Sequence, residues 1–441
     1  MNPFKVVMTE NICNEGFSCI DDCAKQGIED GYTLFGFIHP NKVYEITKII
    51  HAGPKSERSE VSFSPDSETI KNELRAELET NPNIRWIGDN HLHPWSEEPT
   101  PSSVDINQMR EARKTRPGTI IGLHSLTKLK FFGLDENSNL IEIPYQVIPD
   151  GFDEKNLLSR ISEITNSEAL SRKKVAILGC GSLSCGVIQS LAGTGLRNFV
   201  LGDMDSFADV NMVRHIGGIY DLKKDKTEIL KEYIESHNPL AAVQTVTDDF
   251  LKNRELLRSV VNWSDIVIAS SGNPALNYQI NLQCFKFRKP VVFGGIYDRA
   301  ESAYVFYYDP KEQNRACFDC IFELTSAAID NNTIKRKYGL DDGELKEAQG
   351  MFADILVPGA MMGNIAIKLM MGKTPECNLL KYYNSLKTER INVSQKKGCA
   401  TCDYVNWVTK EESKLDEKNQ NMFGQFCELN RKLWRIFRFD F

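Results

Sequence analysis

Apolar and polar positions are patterned differently in the two halves of the chain. Up to about residue 147, short apolar runs alternate with polar-faced helical stretches. The pattern predicts a helix from Glu15 to Gln26, then strands in TLFGFIHP and VYEITKII and a helix in DSETIKNELRAELET. The strand IRWIGDNHLHP follows, and TIIGLHS, LKFFGLD and LIEIPYQVI close an α+β unit. Residues 149–172 read as a charged connecting helix. From Lys173 the pattern becomes a buried strand, a glycine-rich turn and a helix, KKVAILGCGSLSCGVIQSLAGTG. FVLGDMD, DIVIASSGN and PVVFGGIYD read as further buried strands, so a mostly parallel sheet is expected. Residues 411–441 read as a charged, then aromatic, helical tail.

Composition narrows the function classes. With 41% hydrophobic and 26% charged residues, the 441-residue chain matches an ordinary globular protein of two or three domains. A net charge of -7 gives no electrostatic case for nucleic-acid binding. The start, MNPFKVVMTENIC, lacks a basic region followed by an apolar core, so no signal peptide is expected. The most apolar helical stretch, Ile355 to Gly372, contains Pro358, Gly359, Gly363 and Lys368, which suits a buried helix better than a membrane span. Twelve cysteines without a secretory signal point to the reducing cytoplasm and to core, metal or catalytic roles.

The stretch HLHPWSEEPTPSSVD, His91 to Asp105, carries the first candidate chemistry. An isolated His-x-His can simply punctuate a loop. On a strand end, however, period-two alternation turns both imidazoles to one side, and the Ser-x-x-Asp spacing lets the first turn of a helix return Asp105 as a third ligand. Three such ligands with an open fourth position are the pattern of a catalytic zinc. HxHP followed by PSSVD resembles the JAB/MPN (JAMM) metalloprotease motif, and EDGYTLFG places Glu29 seven residues before Gly36, as that family does. The resemblance implies that His91, His93 and Asp105 bind zinc, that Glu29 is the general base and that Ser102 steadies the oxyanion. It covers about the first 147 residues. The gap from His93 to Ser102 is one residue longer than the common spacing, so Ser102 and Ser103 compete for that role. Leu92 stands where Ser or Thr is usual.

In the second half, GCGSLS (Gly179 to Ser184) follows the strand VAIL and opens a helix, where glycines let backbone approach phosphates. A NAD-dependent oxidoreductase has the same turn, and Asp203, closing FVLGD, could accept from ribose hydroxyls under either reading. DMDSFADVNMVRH, then Lys226, then HNP at His237 to Pro239 separates the two. It resembles the ThiF/MoeB/ubiquitin-activating adenylation superfamily, with Asn211, Arg214 and Lys226 at matching places. The resemblance covers about residues 155–410. It implies that Gly179, Gly181, Ser182, Asp203, Asp205, Asn211, Arg214 and Lys226 bind ATP and Mg²⁺, with Arg214 and Lys226 carrying the catalytic charge. Cys317, Cys320, Cys399 and Cys402 form CxxC…CxxC, the spacing of a structural zinc, which that superfamily carries here. Gly272, in SSGN, stands where many members have an Asp that helps hold Mg²⁺, and no cysteine lies between Cys320 and Pro358, where ubiquitin-activating relatives carry their nucleophile. Cys180, Cys185 and Cys284 read as core; Cys377 and Cys427 stay open as nucleophiles.

The expected fold class is α/β. A JAB/MPN-like domain (1–148) and a helical linker (149–172) precede a Rossmann-like, mostly parallel-sheet adenylation domain with a four-cysteine zinc (173–410) and a helical tail (411–441). The expected function is ATP-dependent adenylation of the C-terminal glycine of a ubiquitin-like protein, combined with zinc-dependent cleavage after that glycine. The alternative is sulfur-carrier activation for cofactor or cysteine biosynthesis; a NAD-dependent oxidoreductase or a non-catalytic scaffold stand further off. The partners implied are a ubiquitin-like or sulfur-carrier protein ending in Gly and a conjugating enzyme, with no nucleic acid and no membrane. A homodimer is expected, its shared core formed partly by Ile355 to Gly372, with Arg160 reaching the partner's triphosphate.

Overall fold

A computed structural model describes residues 4–297, 300–312, 316–322, 350–399 and 401–403. In the first half, β1 (Lys5–Thr9) leads directly into α1 (Glu10–Gln26), then β2 (Gly31–Ile38), β3 (Val43–His51) and the small hairpin β4 (Glu57–Arg58) and β5 (Phe63–Ser64). Helix α2 (Ser67–Thr80), β6 (Arg85–Leu92), α3 (Ser103–Thr115), β7 (Ile120–His124), β8 (Leu129–Leu134), β9 (Leu140–Ile143) and β10 (Tyr145–Ile148) complete it. Eight of these strands form one mixed sheet in the order β10-β1-β3-β2-β6-β7-β8-β9. Successive residues of β2 serve opposite faces: Leu34 packs with Ile20 of α1, while Phe35 packs with Ile70 and Leu74 of α2.

Three sequence expectations change here. Helix α1 starts at Glu10 rather than Glu15, because Thr9 caps it by accepting from the Ile12 amide. LIEIPYQVI is two strands, not one: after Pro144 the chain crosses to the opposite edge, where β10 pairs parallel to β1. The connecting segment holds two short helices, α4 (Glu154–Leu158) and α5 (Ser167–Ser171), rather than one long one.

The second half comprises β11 (Lys174–Leu178), α6 (Ser182–Leu191), β12 (Asn198–Gly202), α7 (Lys226–His237), β13 (Ala242–Val246), α8 (Arg254–Trp263), β14 (Ile266–Ala269) and α9 (Pro274–Lys286). Then come β15 (Val291–Ile296), β16 (Ser302–Tyr308), α10 (Phe318–Phe322), α11 (Phe352–Met370), β17 (Leu379–Tyr383) and β18 (Thr388–Ile391). The sheet order is β13-β12-β11-β14-β15-β16-β17-β18. It is parallel from β13 to β15, with the strands buried on both faces, and antiparallel from β15 to β18, which the expected mostly parallel sheet did not include. Helix α11 is long and apolar enough to cross a membrane, but it packs as a core helix against α6 of its own chain. A Cβ on Gly186 would stand 2.6 Å from the Leu356 carbonyl, and one on Gly359 2.4 Å from the Leu183 carbonyl. Glycine is what lets the two backbones touch.

The halves dock through a buried, mixed contact. Lys5 donates to the carbonyls of Pro239 (3.0 Å) and Ala241 (3.3 Å) and pairs with Glu235 at 3.4 Å. The Asn41 amide reaches the carbonyls of Arg197 and Leu240. Arg197 in turn donates to His39 Nδ1 at 2.7 Å and to both oxygens of Glu154. Val7, Val43 and Ile148 close on Leu240 and Ala242.

Candidate functional site

Two sites emerge, one at the end of each sheet. In the first, β6 presents His91 and the residues just past it present His93, while α3 returns Asp105 in its first turn. His91 Nε2 lies 3.0 Å from His93 Nε2 and 3.2 Å from Asp105 Oδ1, and His93 Nε2 lies 3.6 Å from Asp105 Oδ2. These separations fit one tetrahedral ion, whose ligand–ligand edge is about 3.3 Å for bonds of about 2.0–2.1 Å. Two ring nitrogens pointing at each other across 3.0 Å also need a shared cation or proton between them. Burial would raise Asp105, but the hydrogen bond and charge of His91 and the bonds from Ser102 outweigh it and hold the carboxyl at about 2. Burial and neighbouring His91 lower His93. The set therefore offers a deprotonated carboxylate beside His93, whose imidazole is shifted toward the neutral form that a metal requires.

Ser102 caps the helix that carries Asp105. Its Oγ accepts from the Asp105 amide at 3.2 Å while Asp105 Oδ2 accepts from the Ser102 amide at 2.7 Å, a capping box that aims the carboxylate at the histidines. Ser103 is the exposed first residue of α3. Leu92 is fully buried on the opposite face from the histidines. Glu29 stands just before β2, whose Gly31 pairs with His91. Burial raises its carboxyl, with His91 pulling it down and Asp105 pushing it up, so it lies in the field of the ligand set. Sequence reasoning missed Asp30 and Arg58, which pair at 2.8 Å beside Glu29, and His124, whose Nε2 lies 2.6 Å from the buried Tyr32 hydroxyl.

The second site is built on the turn between β11 and α6. Gly179 has φ +100 and packs so closely on Ser270 and Ser271 that a Cβ would lie 2.4 Å from the Ser271 nitrogen. Gly181, by contrast, faces open space, and α6 begins there without a side-chain cap. Its first amides, including that of Ser182, are free of a protein cap in a place suited to phosphate. The Asp203 carboxylate is already engaged: Oδ2 accepts from the Cys180 amide at 2.6 Å and Oδ1 from the Asp205 amide at 2.9 Å. It therefore ties the glycine turn to β12, a role the sequence reading did not give it. Asp205 is exposed and pairs with Lys226 at 2.9 Å. A 3₁₀ turn over Asp209–Arg214 carries Asn211, which accepts from the Ala208 amide, and half-buried Arg214. His215 follows and fastens that turn to the site: its Nδ1 accepts from the Gly217 amide at 3.0 Å, leaving Nε2 to donate to the Cys180 carbonyl at 3.1 Å. His215 stood within the NMVRH string but was given no role; its burial among apolar neighbours is not written in the string. Gly272 sits at φ +65 and offers no carboxylate.

Buried Cys317, Cys320, Cys399 and Cys402 close a third cluster. Sγ–Sγ separations of 3.8, 3.6 and 3.5 Å match the edge of about 3.8 Å for four thiolates at about 2.3 Å from one zinc. The Lys396 amide donates to Cys320 Sγ at 3.3 Å, a contact that favours the thiolate. Cys180, Cys185 and Cys284 are fully buried, and burial pushes each thiol up, Cys185 to about 12. Cys377 is buried, Arg160 is exposed on the connecting segment, and Cys427 lies outside the described residues.

A family model described as the ThiF family matches residues 153–402. The chain belongs to the ThiF family. The relatives of this ThiF-family chain are of modest identity. It is 25% identical over 252 residues to the molybdopterin-synthase adenylyltransferase of Escherichia coli K12, across 56% of this chain and 94% of that protein. The adenylyltransferase and sulfurtransferase UBA4 of Yarrowia lipolytica is 25% identical over 264 residues, 58% of this chain and 62% of its own length. The sulfur carrier protein adenylyltransferase of Thermus thermophilus is 23% identical over 244 residues, 53% of this chain and 84% of that protein.

Proposed function

We propose that the ThiF-family half is an ATP-dependent adenylyltransferase acting on the C-terminal carboxylate of a small carrier protein ending in glycine. The observation that carries this is the open start of α6 at Gly181 with Lys226, Asp205 and the Asn211–Arg214 turn fastened beside it. Uncapped amides and cations there suit a triphosphate; the carboxylate attacks the α-phosphorus and pyrophosphate leaves. Mg²⁺ would be held by Asp205 and Asp203 with the phosphates, since Gly272 brings no ligand. The similarity to a molybdopterin-synthase adenylyltransferase and a sulfur carrier protein adenylyltransferase supports a sulfur-carrier substrate. The four-cysteine cluster would hold a structural zinc, and the adenylation halves would pair as a homodimer in the cytoplasm. The test is ATP–pyrophosphate exchange with a carrier ending in Gly-Gly: Lys226→Ala is expected to reduce it at least about 100-fold, the scale of losing one preorganised charge contact. Exchange that persists undiminished in that variant sinks the assignment.

A second reading for the first half rests on its own observation, the mutual 3.0–3.6 Å spacing of His91, His93 and Asp105. These residues would hold a zinc ion, which supplies Lewis acidity and an acidified water when bound. Glu29 would serve as general base for hydrolysis of a peptide or isopeptide bond after the carrier's glycine. Metal analysis of the full chain is expected to give two zinc equivalents, falling by one in the His91→Ala/His93→Ala double variant. A single equivalent, lost only when the cysteines are changed, rules the hydrolase out.

A further inference from the structure

We propose that Arg58 is the positioning residue for Glu29, acting through Asp30. This rests on the hydrolase reading. Glu29 enters β2 from a short loop, and its backbone is gripped by the hairpin: its amide donates to the Ser59 carbonyl at 2.8 Å. The next residue, Asp30, is only 6% exposed. Asp30 Oδ1 accepts from the Gly31 amide at 2.8 Å and from Arg58 Nε at 2.8 Å. The Asp30 carbonyl accepts from the Leu92 amide at 2.8 Å, which ties the same residue to the strand carrying His91. Phe63, on the other arm of the hairpin, stands where a Cβ on Gly31 would meet it at 2.8 Å.

Arg58 and Ser59 thus form two adjacent grips on two adjacent residues, Asp30 and Glu29. A buried carboxylate is stable only with a cation or several donors, and Arg58 is the cation beside Asp30. Without the guanidinium, Asp30 must turn toward water. Its neighbour Glu29 shares the same peptide unit and moves with it, while His91, His93 and Asp105 are held by β6 and the α3 capping box and stay in place. Arg58 touches neither the ligand set nor Glu29's carboxylate in the described contacts, so its effect on chemistry runs through the backbone.

The test uses the full-length, zinc-loaded chain and a fluorogenic peptide amide ending in Gly-Gly. Arg58→Ala is expected to lower kcat at least about 10-fold, the lower end for residues that orient a metal site, with KM and zinc content unchanged. Arg58→Lys, which keeps the charge, should recover part of the loss. In a Glu29→Ala background Arg58→Ala should cost nothing more, because its only route is through Glu29. Independently of activity, amide exchange at Glu29 should quicken in Arg58→Ala while that of Arg85 to Asn90 stays as it was. Wild-type kcat in Arg58→Ala, an equal loss in the Glu29→Ala background, or unchanged Glu29 exchange each overturns the proposal. Undiminished cleavage by Glu29→Ala alone instead overturns the hydrolase reading, and a chain that leaves the peptide uncut is decided by the exchange result.

Discussion

His124 shows how much one side chain can set. It is fully buried between the strand that carries His91 and α1, against Phe17 and Tyr32, and burial drags its pKa from 6.5 to about 3. The unfolded chain takes up the proton first, so the stability tied to neutral His124 is complete above about pH 6.5 and is lost as pH falls toward 3. Urea titration from pH 7 to 4.5 should show a loss of about 2–3 kcal/mol from this residue. His124→Gln should be weaker at pH 7 yet lose less on acidification; an identical pH slope in both proteins refutes the link. Residues of this kind mark the limit of reading a string. His91, His93 and Asp105 are legible because a strand end and a helix start fix their directions within fifteen positions. Arg58 and His124 reach the same site only through a hairpin and a parallel strand pair, and no local spacing encodes either.

At the scale of elements, the α6–α11 crossing is the tightest test of the second fold. Gly359→Val puts a branched side chain against the Leu183 carbonyl, which backbone cannot yield, and should cost about 3 kcal/mol or leave the chain insoluble. Gly193→Ala, whose added Cβ meets nothing within 4 Å, should change stability by less than about 0.5 kcal/mol. Comparable thermal midpoints for the two variants contradict the crossing. The apolar stripe of Ile355 to Gly372 announced a buried helix, but not that its glycines answer Gly186 in the same chain. Strands β11, β12, β14 and β15 were readable as apolar runs between turns. Strand β1 was not, since three apolar residues before a capping threonine leave helix and strand equally open, and β16 to β18 owe their antiparallel pairing to neighbours distant in sequence.

In the whole molecule, Lys5 is the pin between the halves. Lys5→Ala leaves two carbonyls and Glu235 without their cation, and is expected to cost about 1–3 kcal/mol and to speed proteolysis within residues 149–172. Unaltered cleavage there would mean that the contact is incidental. The same docking has a consequence for any substrate. The first half touches the second at the starts of β12 and β13, whereas the glycine turn lies where β11 and β12 end. His91 likewise sits by the start of β2, and Asn41 and His39, at the contact, follow its end. About 25 Å of strand on one side and about 15 Å on the other separate each reactive end from the seam. On the proposed reading, a carrier tail shorter than about 11 residues, at no more than about 3.5 Å per residue, does not reach from one end to the other while its body stays bound. Such a carrier would have to let go and diffuse between the two ends. An equimolar mixture of His91→Ala and Lys226→Ala chains should therefore carry a precursor through both steps as fast as wild type at matched site concentration. A clear advantage for the intact chain would reveal a direct hand-over and refute this separation.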